Sequence, residues 1–225
     1  MDEGEGEDGG RGRRHVVLVG LMGVGKTTVG RRLARELQRP FADADEQLEL
    51  RAGRTIPVIF RDDGEAAFRR LESEVLADLL GRTHPLVVAA GGGVVTGAEN
   101  RALLSRHGFV VWLRASAGFL ATRIDPTHRP LLATDPPEAE PRRGRGPSGP
   151  APKAPGAGDT ARRGGAERRL EAAIERLIAE RSPLYEDVAD AIVDVEPFHS
   201  GDDKPKRALA HHIAALVGVP AEAPG

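Results

Sequence analysis

The sequence predicts an α/β fold, a parallel sheet wrapped by helices with a ligand crevice along the carboxyl ends of its strands. Three observations predict it. The first is the stretch His15 to Thr28, in which a continuous apolar run leads into Gly20, four residues, Gly25, Lys26 and Thr27. This is the phosphate-loop pattern G-x-x-x-x-G-K-[ST] between a predicted strand and a predicted helix. The second is the alternation of β-branched apolar runs with amphipathic stretches down the chain, the mark of a helix-covered parallel sheet. The third is that Asp43, Asp45 and the triplet Gly91-Gly92-Gly93 fall at the carboxyl ends of predicted strands, where open α/β sheets bind ligands.

The first strand is Val16-Val17-Leu18-Val19, which lacks polar alternation and so reads as buried on both faces. Gly20, Gly23 and Gly25 let the backbone turn tightly and point N–H groups inward as an anion nest. The following helix adds its positive end. Lys26 reaches the β- and γ-phosphates, and the Thr27 hydroxyl is a ligand for Mg²⁺. Val29, Leu33 and Leu37 repeat at helical spacing behind the loop. The stretch is therefore read as a nucleoside triphosphate site.

After Pro40 a short strand runs to the aspartates. Period-2 geometry places Asp43 and Asp45 on one side of it, one to serve Mg²⁺ and the other a substrate hydroxyl. The competing reading is a helix N-cap, which Asp45 also suits. Gly64 separates a short helix from a longer one whose apolar face is Phe68, Leu71, Val75, Leu76 and Leu79. Arg69 and Glu72, three apart, share a face. They form either an ordinary surface ion pair or an arginine held in place and aimed at an anionic substrate. Leu86 to Ala90 is the next buried strand and runs into the Gly91 triplet, which reads as a close backbone approach to a ligand rather than a plain turn. Helix follows over 98–107, with Leu103 and Leu104 inward. A strand covers 109–113, and a helix over 117–124 carries Arg123. Residues 134–165 are rich in Pro, Gly, Ala and Arg and read as disordered, their arginines available to an acidic partner or merely solvated. Order resumes with an amphipathic helix over 170–180, then Arg181-Ser182-Pro183-Leu184-Tyr185, a last strand over 191–195 and a closing helix over 207–217.

Composition narrows the function. Aromatic residues make up 4% of the chain and the net charge is −2 with pI near 6.4, so neither stacking nor electrostatics favours nucleic acid or an anionic membrane. The absence of cysteine excludes disulfides, thiolate metal sites and cysteine nucleophiles. No apolar run reaches bilayer-spanning length. Residues 1–13 read as an acidic, Gly-rich tail without the apolar centre of a signal peptide, and the expectation is a cytoplasmic monomer.

With these pieces assembled, the chain resembles the shikimate kinases. The likeness runs from about Arg14 to Val219 and rests on GLMGVGKTT, the Asp43-Ala44-Asp45 pair, GRTIPVIFRDDGEAAFRRLE, the Gly91 triplet, RPLL and ERSPLY, in that order. The resemblance implies a three-layer P-loop kinase fold with a five-stranded parallel sheet in the order 2-3-1-4-5. It implies one domain over 14–219, with a substrate-binding region near 44–75, a lid near 123–180 that contains the insert, and a tail over 220–225. It implies transfer of the ATP γ-phosphoryl group to the 3-hydroxyl of shikimate, with Mg²⁺. Lys26, Asp45 and Arg129 are then catalytic, Asp45 as the candidate base. ATP meets Gly23, Val24, Gly25, Lys26, Thr27, Thr28, Arg123 and Arg129. Shikimate meets Asp45, Arg69, Gly91, Gly92, Gly93 and Arg181, and the metal meets Thr27 and Asp43. A planar carboxylate is well matched by arginine forks.

Two departures stand out. Roughly thirty extra residues follow RPLL, a length usual for functional or disordered loops. On the adenine side, Phe198 to Pro205, the expected basic residue is replaced by Asp202-Asp203 or displaced to Lys204. The competing functions are a gluconate-kinase-like enzyme, which shares the phosphate loop without the Gly91 triplet or the Arg69 and Arg181 pair, and a non-catalytic nucleotide-binding regulatory module.

Overall fold

A computed structural model describes residues 14–124, 158–198 and 203–218. The first strand, β1 (His15–Val19), is buried at every residue. Both parities of its side chains are covered, so helices close both faces of the sheet, as its unbroken apolar run requires. After the phosphate loop comes α1 (Lys26–Glu36), then β2 (Phe41–Asp43), α2 (Ala44–Ala52) and α3 (Ile56–Leu80). Next are β3 (Val87–Ala89), a 3₁₀ turn over Val94–Thr96, α4 (Ala98–His107), β4 (Gly108–Arg114) and α5 (Ala117–Ala121). The described chain continues with α6 (Gly158–Val188), β5 (Ala191–Asp194), a 3₁₀ turn over Glu196–Phe198 and α7 (Asp203–Leu216).

The five strands form one parallel sheet in the order β2-β3-β1-β4-β5, as expected. Val17 sits between Val88 and Val110, at the centre of the sheet. α1 packs on α7, and α6 packs on α4, α5 and β4. Val29, Leu33 and Leu37 are buried, and Gly30 lets α1 lie directly on Phe41, where a Cβ would stand 2.6 Å from the ring. β5 is an edge strand and buries only Val193.

Three expectations change and one holds. Asp45 is not on a strand: β2 ends at Asp43, which caps α2 and accepts hydrogen bonds from the N–H groups of Asp45 (3.0 Å) and Glu46 (3.4 Å). The chain turns helical at once, and the alternation of an extended strand no longer applies. The break expected at Gly64 is present: its φ of 79° and ψ of 174° are not helical and divide α3 into a short and a longer helical segment across a kink. α5 stops at Ala121, where the Thr122 hydroxyl bonds the Phe119 carbonyl, so Arg123 sits in the turn beyond the helix. Finally, α6 opens at Gly158, inside the 134–165 stretch expected to lack structure. Residues 134–157 lie outside the described residues, as do the tails 1–13 and 219–225.

His15 ties the amino end of β1 to the turn before β3. It is buried, and its Nδ1 accepts the Leu86 N–H at 3.1 Å. Burial holds the imidazole below its ordinary range; hydrogen bonds to the backbone of Arg82 and Leu80 oppose the shift, and the charges of His107 and Arg39 add to it. With the folded value depressed, the unfolded chain binds a proton that the folded chain refuses. This contribution to stability is whole above the unfolded value of about 6.5 and is lost as pH falls from there through the folded value. Thermal melts between pH 7.5 and 5.5 test this: the melting temperature falls with pH, and His15→Asn, which keeps an acceptor for Leu86, flattens the slope.

Candidate active site

The phosphate loop owes its shape to backbone angles that side chains rarely adopt. Gly20 has φ 136° and Gly25 has φ 102°. A Cβ on Gly20 would collide with the Leu113 carbonyl of β4, so the loop can enter only as glycine. Gly25 caps α1 without a side chain, leaving the first N–H groups of the helix to face a ligand. The Lys26 ammonium folds back along the loop and donates to the carbonyls of Gly20 (2.8 Å) and Leu21 (3.1 Å). The Thr27 hydroxyl donates to Asp43 Oδ2 at 2.6 Å.

A cleft of about 920 Å³ opens beside this loop. Its lining includes Gly23, Gly25, Lys26, Thr27, Thr28, Asp43, Asp45, Arg69, Gly92, Gly93 and Arg123. Eleven of the residues expected from the sequence therefore border one space. Val24 differs: its side chain is buried and faces a second cavity of about 520 Å³ behind the loop, so only its backbone can serve the nucleotide. Arg123 lies over the Phe119 ring, 4.4 Å from its centroid, and its stem is close to Gly23. Arg129 and residues 199–202 of the adenine-side loop lie outside the described residues.

The glycine triplet is the hub of the opposite wall. It is closed by the bond from Val94 N–H to the Gly91 carbonyl (3.2 Å) and braced from α4, where Asn100 donates to the Val94 carbonyl (3.1 Å). Each glycine faces a different partner. A Cβ on Gly91 would stand 2.6 Å from Glu72 Oε1 and 3.0 Å from Asp45 Oδ1. A Cβ on Gly93 would run into the Arg69 guanidinium. The Gly92 carbonyl accepts from Arg181 Nη1 (3.1 Å) and from the Tyr185 hydroxyl (2.6 Å). Asp45, Arg69 and Arg181 thus meet around three consecutive residues.

Arg69 is gripped by Glu72 at 2.7 Å and by Glu65 at 3.2 Å. This is no surface pair, because the Glu72 side chain is only 4% exposed. Burial pushes its carboxyl above the usual range, Arg69 opposes that shift, Asp45 adds to it, and Arg181 opposes it more weakly. Glu72 Oε1 is buried without a hydrogen-bond partner. Beside it, Phe60 and Phe68 pack with centroids 4.5 Å apart, and with Ile56 and Pro57 they form an apolar wall. The cleft therefore offers a phosphate nest, two aspartates, an arginine fork and a flat apolar side. It suits transfer of a phosphoryl group to a small hydroxylated carboxylic acid.

Several of these residues were not singled out from the sequence. The Phe60 and Phe68 wall has a signal in hindsight, since both flank the Gly64 break, with Phe68 next to Arg69. Tyr185 has another: it lies four residues after Arg181 and so shares its helix face.

The family model described as shikimate kinase matches residues 22–145. The shikimate kinase of Methylococcus capsulatus is 39% identical over 188 residues, spanning 82% of this chain and 84% of that protein. That of Burkholderia pseudomallei is 52% identical over 128 residues, 56% of this chain and 68% of the relative. Among solved structures, a shikimate kinase from Acinetobacter baumannii in complex with shikimate superposes with a TM-score of 0.69 at 33% identity, covering 91% of this chain and 92% of the other. A shikimate kinase from Bacteroides thetaiotaomicron gives a TM-score of 0.70 at 25% identity.

The contact between Gly93 and Arg69 is open to test. Gly93→Ala displaces the guanidinium without straining the backbone, whose φ is −102°. Losing one charged fork weakens binding of a carboxylate-bearing acceptor on the order of 10- to 100-fold, while the KM for nucleotide barely moves. Steady-state kinetics with each substrate varied in turn checks the split.

Proposed function

The chain belongs to the shikimate kinase family, and we infer from this that its cleft transfers the γ-phosphoryl group of ATP to the 3-hydroxyl of shikimate, giving shikimate 3-phosphate and ADP. The observation that carries the residue-level reading is the shared cleft: the phosphate loop, Asp43, Asp45 and Arg69 line one space, with Arg181 bonded to the glycine between them.

In this reading the loop N–H groups and Lys26 hold the phosphates. Lys26 gives up its two carbonyl partners for phosphate oxygens, exchanging neutral acceptors for charged ones. Arg69 and Arg181 receive the shikimate carboxylate, Arg69 pre-set by Glu72 and Glu65. The apolar wall of Phe60 and Phe68 takes a face of the ring. Asp45 orients the 3-hydroxyl and accepts its proton. Glu72 serves instead to hold the Arg69 guanidinium through one of its oxygens. Transfer of this kind depends on positioning and charge neutralisation more than on strong base chemistry.

Mg²⁺ fits the donors present. The Thr27 hydroxyl and Asp43 Oδ2 are adjacent hard oxygens, and Mg²⁺ takes one or two such protein ligands beside phosphate and water. When bound there, it neutralises charge on the phosphates. Arg123, beside the loop, and Arg129 complete the nucleotide side. The reading also has one domain over 14–219 working as a cytoplasmic monomer with no nucleic-acid or membrane partner. Among the described residues no helix is long and apolar enough to cross a bilayer.

The test is phosphoryl transfer from labelled ATP to shikimate, with magnesium present and then chelated. Turnover occurs on shikimate and not on gluconate, and chelation abolishes it. Lys26→Ala lowers kcat by about 10²-fold or more, and Asp45→Asn by about 10²- to 10⁴-fold, with the fold retained by circular dichroism. Full activity in either variant removes the role assigned to that residue.

A further inference from the structure

Two donors converge on the backbone oxygen of Gly92, a residue that borders the cleft. The Gly92 carbonyl accepts from Arg181 Nη1 at 3.1 Å and from the Tyr185 hydroxyl at 2.6 Å. Both donors come from α6, four residues apart and so on one face of the helix. Tyr185 is 1% exposed, the largest of the fully buried side chains, and its ring stacks on Trp112 of β4 with centroids 5.4 Å apart. Arg181 is itself buried, at 6% exposure. Burial also pushes the Tyr185 hydroxyl well above its usual range, so it remains a neutral donor across the working pH range.

We propose that Tyr185 is a positioning residue for the acceptor substrate: its hydroxyl pins the Gly92 peptide and keeps that carbonyl satisfied, leaving the Arg181 fork free to turn to the substrate carboxylate. The inference rests on Arg181 being the carboxylate clamp. A carbonyl has two lone pairs, and here both are used. If Arg181 were the sole donor, its engagement with a substrate would strand a buried carbonyl, and the desolvation of that oxygen would be charged against binding. With Tyr185 present, the oxygen retains a short bond whichever way the guanidinium turns. The ring stack on Trp112 fixes the hydroxyl independently of the substrate, so the second donor is already in place when the first departs.

Tyr185→Phe in the full chain keeps the ring and removes only the hydroxyl. The KM for shikimate rises roughly 5- to 150-fold, the range for leaving a buried acceptor unpaired. kcat and the KM for ATP stay within about two-fold, because the nucleotide side is untouched. With the carboxamide analogue of shikimate, which gives Arg181 no carboxylate, wild type and variant bind alike. Trp112 is the only tryptophan in the chain, so its emission shows whether the stack survives, and its quenching gives a binding constant independent of turnover. In an Arg181→Ala background, adding Tyr185→Phe causes no further loss of shikimate affinity. An unchanged shikimate KM in Tyr185→Phe, or an equal loss in the Arg181→Ala background, overturns the role of Tyr185 while leaving the clamp intact. An Arg181→Ala variant with unaltered shikimate KM overturns the clamp itself, and the inference with it.

Discussion

The Asp43 carboxylate joins the two halves of the cleft. One oxygen caps α2 through the N–H groups of Asp45 and Glu46, and the other accepts the Thr27 hydroxyl at the start of α1. Hydrogen bonds to a charged group each contribute about 1.5–3 kcal/mol, more than neutral ones. Asp43 is buried and lies at the carboxyl end of β2, separated from β1 by β3. It therefore ties the start of α1, behind the phosphate loop, to the start of α2. The cap and the proposed Mg²⁺ ligand are different oxygens of one group, so a metal held there would leave the helix capped.

The second constraint is the absence of side chains at Gly91, Gly92 and Gly93. Glu72, Asp45, Arg69, Arg181 and Tyr185 all press against this turn, and two of the three Cβ positions are occupied by their polar atoms. The triplet is a surface that packs against guanidinium and carboxylate groups instead of against hydrocarbon. It follows β3, itself wholly buried between β2 and β1, so a fully covered strand leads into these polar contacts. Pre-set arginine forks of this kind lose little side-chain freedom on binding. The buried Glu72 is tolerated because Arg69 neutralises it.

Much of this was legible in the chain. The strand order followed from the family resemblance, while the strand, loop and helix at 15–36 followed from composition and spacing alone. Arg69 with Glu72, three residues apart, was readable as a pair, though whether it was buried was not. The aspartates were misplaced by two residues because an Asp that ends a strand and one that caps a helix look alike in sequence. The start of α6 was missed because Gly158 to Gly165 have the composition of a linker, and tertiary context overrides weak propensity at helix ends. The second donor on Gly92 went unremarked because the local signal, its spacing of four from Arg181, does not reveal a partner 93 residues away.

The sequence by itself determined the phosphate nest, since its geometry is set by glycines and a lysine within a few bonds of one another. It also determined a helix-wrapped parallel sheet, through runs that leave no polar face for solvent. Only the tertiary structure decided which carboxylate caps a helix and which one braces an arginine. Those roles arise where β2, α3, the turn after β3 and α6 converge, and the convergence is a property of strand order and crossover packing rather than of any local period.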